Sequence, residues 1–155
     1  MKLAILSIGK PGRGPEAALA CDYAARATAA GKALGLGPFD LIDLEPRKPG
    51  RLPEAALILA AAEGAYLIAC DERGRAFQSR AFADLIATLR DRGERRLVFA
   101  IGGADGLDAS VLSAAQATLA FGPQTWPHAL ARAMLAEQVY RAVTILAGSP
   151  YHRDG

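Results

Sequence analysis

Tyr151, His152 and Arg153 stand together near the C-terminus, behind Pro150, and His152 is one of only two histidines in the chain. A stacking ring, a titratable imidazole and a guanidinium thus occupy a place where most chains carry slack. The other histidine, His128, precedes Arg132 by four residues, so the two share one face of a helix. A guanidinium stabilises charge that develops on a substrate oxygen, and imidazole moves a proton near neutral pH. Backbone chemistry is offered in two loops. IGGADG places glycines at 102, 103 and 106, where main chain can approach a ligand closely. GPQTWP, 122–127, holds the single tryptophan between two prolines. It is either a plug over the core or a rigid loop facing a flat heterocycle. Arg47, Lys48 and Arg51 cluster in PRKPGR, suited to phosphate contact, though such a cluster is more often a solvated surface.

Several chemistries lack their residues. No serine sits in a G-x-S-x-G elbow, and neither Cys21 nor Cys70 has a histidine beside it in sequence, which disfavours covalent hydrolysis. The glycines of IGGADG are not spaced as G-x-G-x-x-G, and GKPGRGPE lacks the Gly-Lys-Ser/Thr ending of a triphosphate loop. The glycine loop reads equally well as a plain strand-to-helix turn capped by Asp108. Two histidines and two widely spaced cysteines leave little for a metal site, and none is expected. A reaction that only positions two substrates fits best.

The elements that must hold these groups alternate. With 155 residues, 52% of them hydrophobic and 22% charged, the chain is long and apolar enough to bury a core. No apolar run approaches a membrane span, and the N-terminal KLAILSI reads as a first strand, not a signal peptide. Reduced cysteines and a cytoplasmic location are expected. The net charge of +2 is too weak to announce nucleic acid by itself. Strands are expected at Lys2–Ile8, at Phe39–Leu44 with the alternation of a half-buried edge, at Ala65–Cys70, at Arg96–Ile101 and at Thr118–Phe121. Helices are expected from Pro15 to about Ala30, from Pro53 to about Glu63, over Ser79–Arg92, over about Ala109–Gln116 and from His128 to Leu146. DERGR, 71–75, is expected to turn the chain. Strand and helix in unbroken alternation imply one α/β domain, a parallel sheet covered by helices on both faces. Ligands then bind beyond the carboxyl ends of the strands. The apolar stripe of Leu135, Val139, Val143 and Leu146 suits the core or a homodimer seam, and Glu137 with Arg141 reads as an intrahelical ion pair.

Taken together, IGGADGLD after a strand and then WPHALARAMLAEQVYRAVTILAGSPYHR closely resemble the RlmH family of the SPOUT superfamily. The pattern runs Ile-Gly-Gly-x-x-Gly at 101–106, Pro-His at 127–128, Arg132, Glu137, Tyr-Arg at 140–141 and Pro-Tyr-His-Arg at 150–153. The likeness covers essentially the whole chain and departs from the usual residues at Cys70, Ala104 and Trp126.

The resemblance implies a single SPOUT domain over 1–155 with a C-terminal trefoil knot, an exception to the rule against threaded chains, and with 148–155 as a functional tail. It implies an S-adenosylmethionine-dependent methyltransferase acting on N3 of a pseudouridine in 23S rRNA, in the large subunit or whole ribosome. The cofactor contacts carry over to Cys70, Gly102, Gly103 and Gly122, Pro123, Gln124, Thr125, Trp126 and Pro127. The catalytic set is Tyr151, His152 and Arg153, with His128 and Arg132 as a second group, and Arg47, Lys48 and Arg51 meet the rRNA. The protein would be a homodimer with the last helix at the seam. The alternative is a non-catalytic, ribosome-associated RNA-binding module of the same fold.

Overall fold

In the computed structural model, which describes residues 1–10 and 12–153, the alternating apolar segments form five parallel strands. They are β1 (Lys2–Ile8), β2 (Phe39–Leu44), β3 (Tyr66–Ala76), β4 (Arg96–Ile101) and β5 (Ala117–Ala120), in the order β2-β1-β4-β3-β5. The helices are α1 (Pro15–Gly31), α2 (Arg51–Ala61), α3 (Ser79–Asp91), α4 (Ala109–Ala114) and α5 (His128–Leu146). Alternate side chains of β1 serve two separate cores. Leu3 and Ile5 join Ala20 and Ala24 of α1, Phe82 and Ile86 of α3, and Leu135 and Val139 of α5. Ala4, Leu6 and Ile8 join Ala55 and Ile58 of α2 and Val111 of α4. The sheet is therefore covered on both faces, which is why β1 and β4 are almost wholly apolar and buried. β2 pairs only with β1 and keeps Asp40 exposed, the edge position its alternation implied.

Boundaries shift for local reasons. α2 starts at Arg51, two residues before Pro53. Proline is tolerated in a first helical turn because the N–H it lacks has no helical partner there. α4 stops at Ala114, short of Gln116, because Gln116 is taken by the strand beside it: its N–H donates to the Leu67 carbonyl (2.9 Å) and its Oε1 accepts from Leu67 N–H (2.7 Å). β5 correspondingly begins one residue early, at Ala117.

DERGR does not simply turn the chain. β3 runs on to Ala76, and Cys70 and Arg75 both oppose Leu119, so 71–74 form a bulge that rejoins the same partner strand. Gly74 makes the return possible: a Cβ there would lie 2.8 Å from Leu119 C and 2.9 Å from the Asp71 carbonyl oxygen. No helix among the described residues is long and apolar enough to cross a membrane.

Candidate functional site

The carboxyl ends of β3, β4 and β5 open into one cleft of about 930 Å³. Its lining mixes the glycines and alanines of the strand ends with charged residues and Trp126. Leaving β4, the chain folds tightly back: Gly106 N–H donates to the Gly103 carbonyl (3.0 Å), and Gly106 takes φ 74°. Gly102 is pressed against that return, so a Cβ on it would meet Gly106 C at 2.7 Å and Leu107 N at 2.9 Å. Asp108 then caps α4, accepting from Ser110 N–H (2.9 Å) and Ser110 Oγ (2.7 Å). Those hydrogen bonds hold its carboxyl below the ordinary range against partial desolvation, with the Arg51 charge helping.

The second wall is the β3 bulge. Asp71 Oδ1 accepts from Arg73 N–H (2.9 Å), and Glu72 Oε2 accepts from Thr125 Oγ1 (3.3 Å). Cys70 lies at the cleft floor, where burial pushes its thiol up to about 12. The third wall is the loop after β5. The Trp126 indole N–H donates to the Phe121 carbonyl (3.3 Å), folding the loop on itself, and the ring stays 39% exposed. It is no plug over the core.

Of the residues expected at a cofactor site, Cys70, Gly102, Gly103, Gly122, Gln124, Thr125, Trp126 and Pro127 line this cleft, and so does His128. Pro123 does not: it is exposed and lies outside the lining. Arg51 lines the cleft rim, whereas Arg47 and Lys48 are exposed in the loop before it. Arg132 is turned away. Its guanidinium pairs with both oxygens of Asp43 on β2, at 2.5 and 3.3 Å, with the two side chains only 12% and 18% exposed.

The tail residues pack against the second half of α5, from its midpoint at Glu137 to Arg141. Glu137 is their hub. Its Oε1 accepts from Arg141 Nε (3.0 Å), Arg141 Nη2 (2.6 Å) and the Tyr151 hydroxyl (3.0 Å), and its Oε2 accepts from Gln138 Nε2 (2.7 Å). The Tyr151 ring packs edge-on to Tyr140, with centroids 4.7 Å apart, and under the Arg141 guanidinium at 5.0 Å. Its hydroxyl lies 3.4 Å from that of Tyr23 on α1. Burial first, then these hydrogen bonds, raise Tyr151 well above the ordinary tyrosine range, so it stays a neutral phenol. The hydrogen bond to Glu137 likewise raises Arg141.

Arg141 Nη1 lies 3.2 Å from His152 Nδ1. Arginine has only donors, so Nδ1 accepts, and the proton of a neutral ring sits on Nε2. Arg153 is exposed, and 154–155, the end of the expected tail, lie outside the described residues.

From His128 to Arg141 is about 20 Å along the helix axis at 1.5 Å per residue. Within one chain the cleft residues and the tail residues are therefore not brought together. Between them, α1 and α5 leave an apolar groove lined by Leu19, Tyr23, Phe121, Leu130, Ala133 and Met134, with Leu19 47% and Leu130 40% exposed. Sequence reasoning passed over Glu72, Asp43 and the hub role of Glu137. Only Glu137 left a signal, its four-residue spacing from Arg141, and that reads first as a plain ion pair.

Residues 1–152 match the family described as "Predicted SPOUT methyltransferase". The chain is 66% identical over 154 residues to "Ribosomal RNA large subunit methyltransferase H" of Caulobacter vibrioides, covering 99% of each chain. It is 67% identical to the protein of the same name from Caulobacter sp. strain K31, covering 99% of this chain and 100% of that one. Among solved structures it is similar to a probable methyltransferase from Bordetella pertussis Tohama I, at TM-score 0.55 and 16% identity over 92% of this chain and 96% of that one. It is also similar to a probable methylase family protein from Haemophilus influenzae Rd KW20, at TM-score 0.56 and 16% identity over 98% of this chain and 70% of that one. These two likenesses speak for the fold.

Proposed function

Since the chain belongs to the SPOUT methyltransferase family, we propose that it methylates large-subunit ribosomal RNA, at N3 of a pseudouridine in 23S rRNA, with S-adenosylmethionine as methyl donor. The cofactor fits the cleft. Gly102, Gly103 and Gly122 line it with no side chain to obstruct a ligand, and its lining carries the carboxylates of Asp71, Glu72 and Asp105 against the guanidinium groups of Arg51 and Arg73, a balance that favours a cation. Cys70, as a neutral thiol, adds an apolar floor and no competing nucleophile. When bound, the cofactor supplies an activated methyl group on a sulfonium. The threaded C-terminal segment typical of such folds belongs to the same reading.

The remaining chemistry falls to the chain. N3–H of the base is weakly acidic, and solvent water would take its proton as N3 forms its bond to the incoming carbon. Arg153 stabilises the charge that develops on the flanking carbonyl oxygens. Tyr151, a neutral phenol, stacks on or hydrogen-bonds the base. With Nδ1 engaged by Arg141, neutral His152 carries its proton on Nε2, which suits it to orient the base by donation. Arg47 and Lys48 meet phosphate, and Arg51 sits where rRNA and cleft adjoin. Because cleft and tail are set apart along α5, a working site is composite: a second copy seated on the α1–α5 groove brings its tail to this cleft. A chain this small has little room for its own large RNA surface, so the substrate is the assembled subunit or ribosome.

The observation that carries the reading is full-length identity of 66% to a ribosomal RNA methyltransferase together with a glycine-walled cleft at the strand ends. The test is a chain lacking Tyr151–Gly155. It is expected to lose methyl transfer to ribosomal 23S rRNA, read by mass spectrometry of the RNA, while keeping S-adenosylmethionine affinity in calorimetry. Methyl transfer by the truncated chain at the full-length rate would remove the tail from the mechanism.

A further inference from the structure

Every residue from Pro123 to Leu130 is exposed, and α5 begins at His128 with no side chain capping its first turn. No side chain of the loop that forms one cleft wall, nor of the helix start that carries His128, is buried in the core. The first firm attachments downstream are buried Ala133 and the Arg132–Asp43 pair, which ties α5 to the edge strand β2 across 89 residues of sequence.

Asp43 is placed to transmit position. It stands in register with Ser7 of β1, and Ser7 with Ile101 of β4, the residue before Gly102. One row across three strands thus carries the ion pair at one end and leads into the glycine loop at the other. On α5, Arg132 directly follows Ala131, which lines the cleft and whose N–H donates to the Pro127 carbonyl (2.9 Å). The arrangement is a poor stability device. A buried ion pair gains little over apolar residues of the same volume, and here Arg132 Nε and Ser7 Oγ remain buried without a partner. What a two-pronged Arg–carboxylate contact does supply is geometry.

We propose that Asp43 and Arg132 form a positioning pair, which sets the start of α5, and with it the 124–127 loop and His128, against the glycine loop across the cleft. Arg132 acts through that placement and not by touching the reacting atoms. The consequence for cofactor affinity rests on the reading of the cleft given above; the placement of the loop does not.

Trp126, the single tryptophan, reports the loop directly. Asp43→Asn and Arg132→Lys are compared with the unaltered chain, well below their melting temperatures. The first removes the charge and the second keeps it but loses the fork. Both are expected to shift Trp126 emission and increase its quenching by acrylamide in the free protein. Both should also raise the KM for S-adenosylmethionine at least tenfold, with kcat at saturation within about threefold. A lower melting temperature with Trp126 emission, quenching and KM all unchanged would show the pair to be merely structural and overturn the proposal. If Asp43→Asn does not fold, Arg132→Lys is decided by the same readings. If the unaltered chain binds no S-adenosylmethionine, the proposed function fails, while the Trp126 readings still decide the positioning claim.

Discussion

At its N-terminal end α5 meets a cleft lined by a glycine loop, a strand bulge and the loop after β5; along its second half it meets a cluster of charged and aromatic side chains gathered on Glu137. The cleft end depends on what side chains are missing. Its tight places are at Gly102 and Gly74, where a single Cβ would strike rigid main chain. The tail end depends on which side chains are present. Three donors converge on one carboxylate oxygen, and the Tyr151 ring is held between Tyr140 and Arg141. The two constructions teach different vulnerabilities. Added bulk at Gly102 should damage the first and leave the second alone, while loss of charge at Glu137 should do the reverse.

The largest effect is expected at Gly102. Gly102→Ala forces a methyl group onto main chain that has no rotamer to yield, at the severe end of overpacking costs, about 3 kcal/mol of stability. Urea denaturation checks that figure, and calorimetry should show S-adenosylmethionine affinity falling with it. An alanine variant of ordinary stability and affinity would mean that the glycine loop is not clamped. Glu137→Gln comes next. Hydrogen bonds to a charged group contribute about 1.5–3 kcal/mol, so methyl transfer is expected to drop about 10- to 100-fold. Cofactor affinity should stay unchanged. A large change in affinity would erase the distinction between the two ends.

The same contrast governs how much was legible in the sequence. The sheet was readable because alternate β1 residues serve two cores, which demands continuous apolar strands at Lys2–Ile8 and Arg96–Ile101. The glycine loop was readable only as two equal alternatives, a ligand loop or a turn capped by Asp108; the turn and its cap are present, and Gly102 and Gly103 also line the cleft. Trp126 was ambiguous by type, and its exposure decides that it faces the cleft and not the core. The bulge at 71–74 was misread as a turn, since its polar residues resemble loop sequence while Gly74 returns the chain to β5. Asp43 and Glu137 were invisible as organisers. Their partners Arg132 and Tyr151 lie 89 and 14 residues away, and no local period links such distances. That the tail is set roughly 14 to 20 Å from the cleft follows from the rise of α5 between His128 and Glu137 or Arg141, yet the helix hides it by carrying both sets of motifs in one continuous pattern.

A smaller effect separates the two ends by pH. Each has a neutral acid shifted upward, Cys70 by burial alone and Tyr151 by burial plus its contacts with Tyr23 and Glu137. An unfolded tyrosine titrates at about 10. The folded chain holds the Tyr151 proton to higher pH than the unfolded chain does. The stability this provides is complete below about pH 10 and is lost as pH rises beyond it. Tyr151→Phe removes that dependence and leaves Cys70 and the other tyrosines in place. The denaturation midpoint of the unaltered chain is therefore expected to fall more steeply than that of Tyr151→Phe between about pH 9.5 and 11. The difference should be modest, because Tyr151 is only half-buried and solvent screens part of the effect. Parallel curves would mean that the phenol is not held by Glu137 in the free protein. The tail cluster would then form only when a second chain or RNA supplies what the single chain lacks.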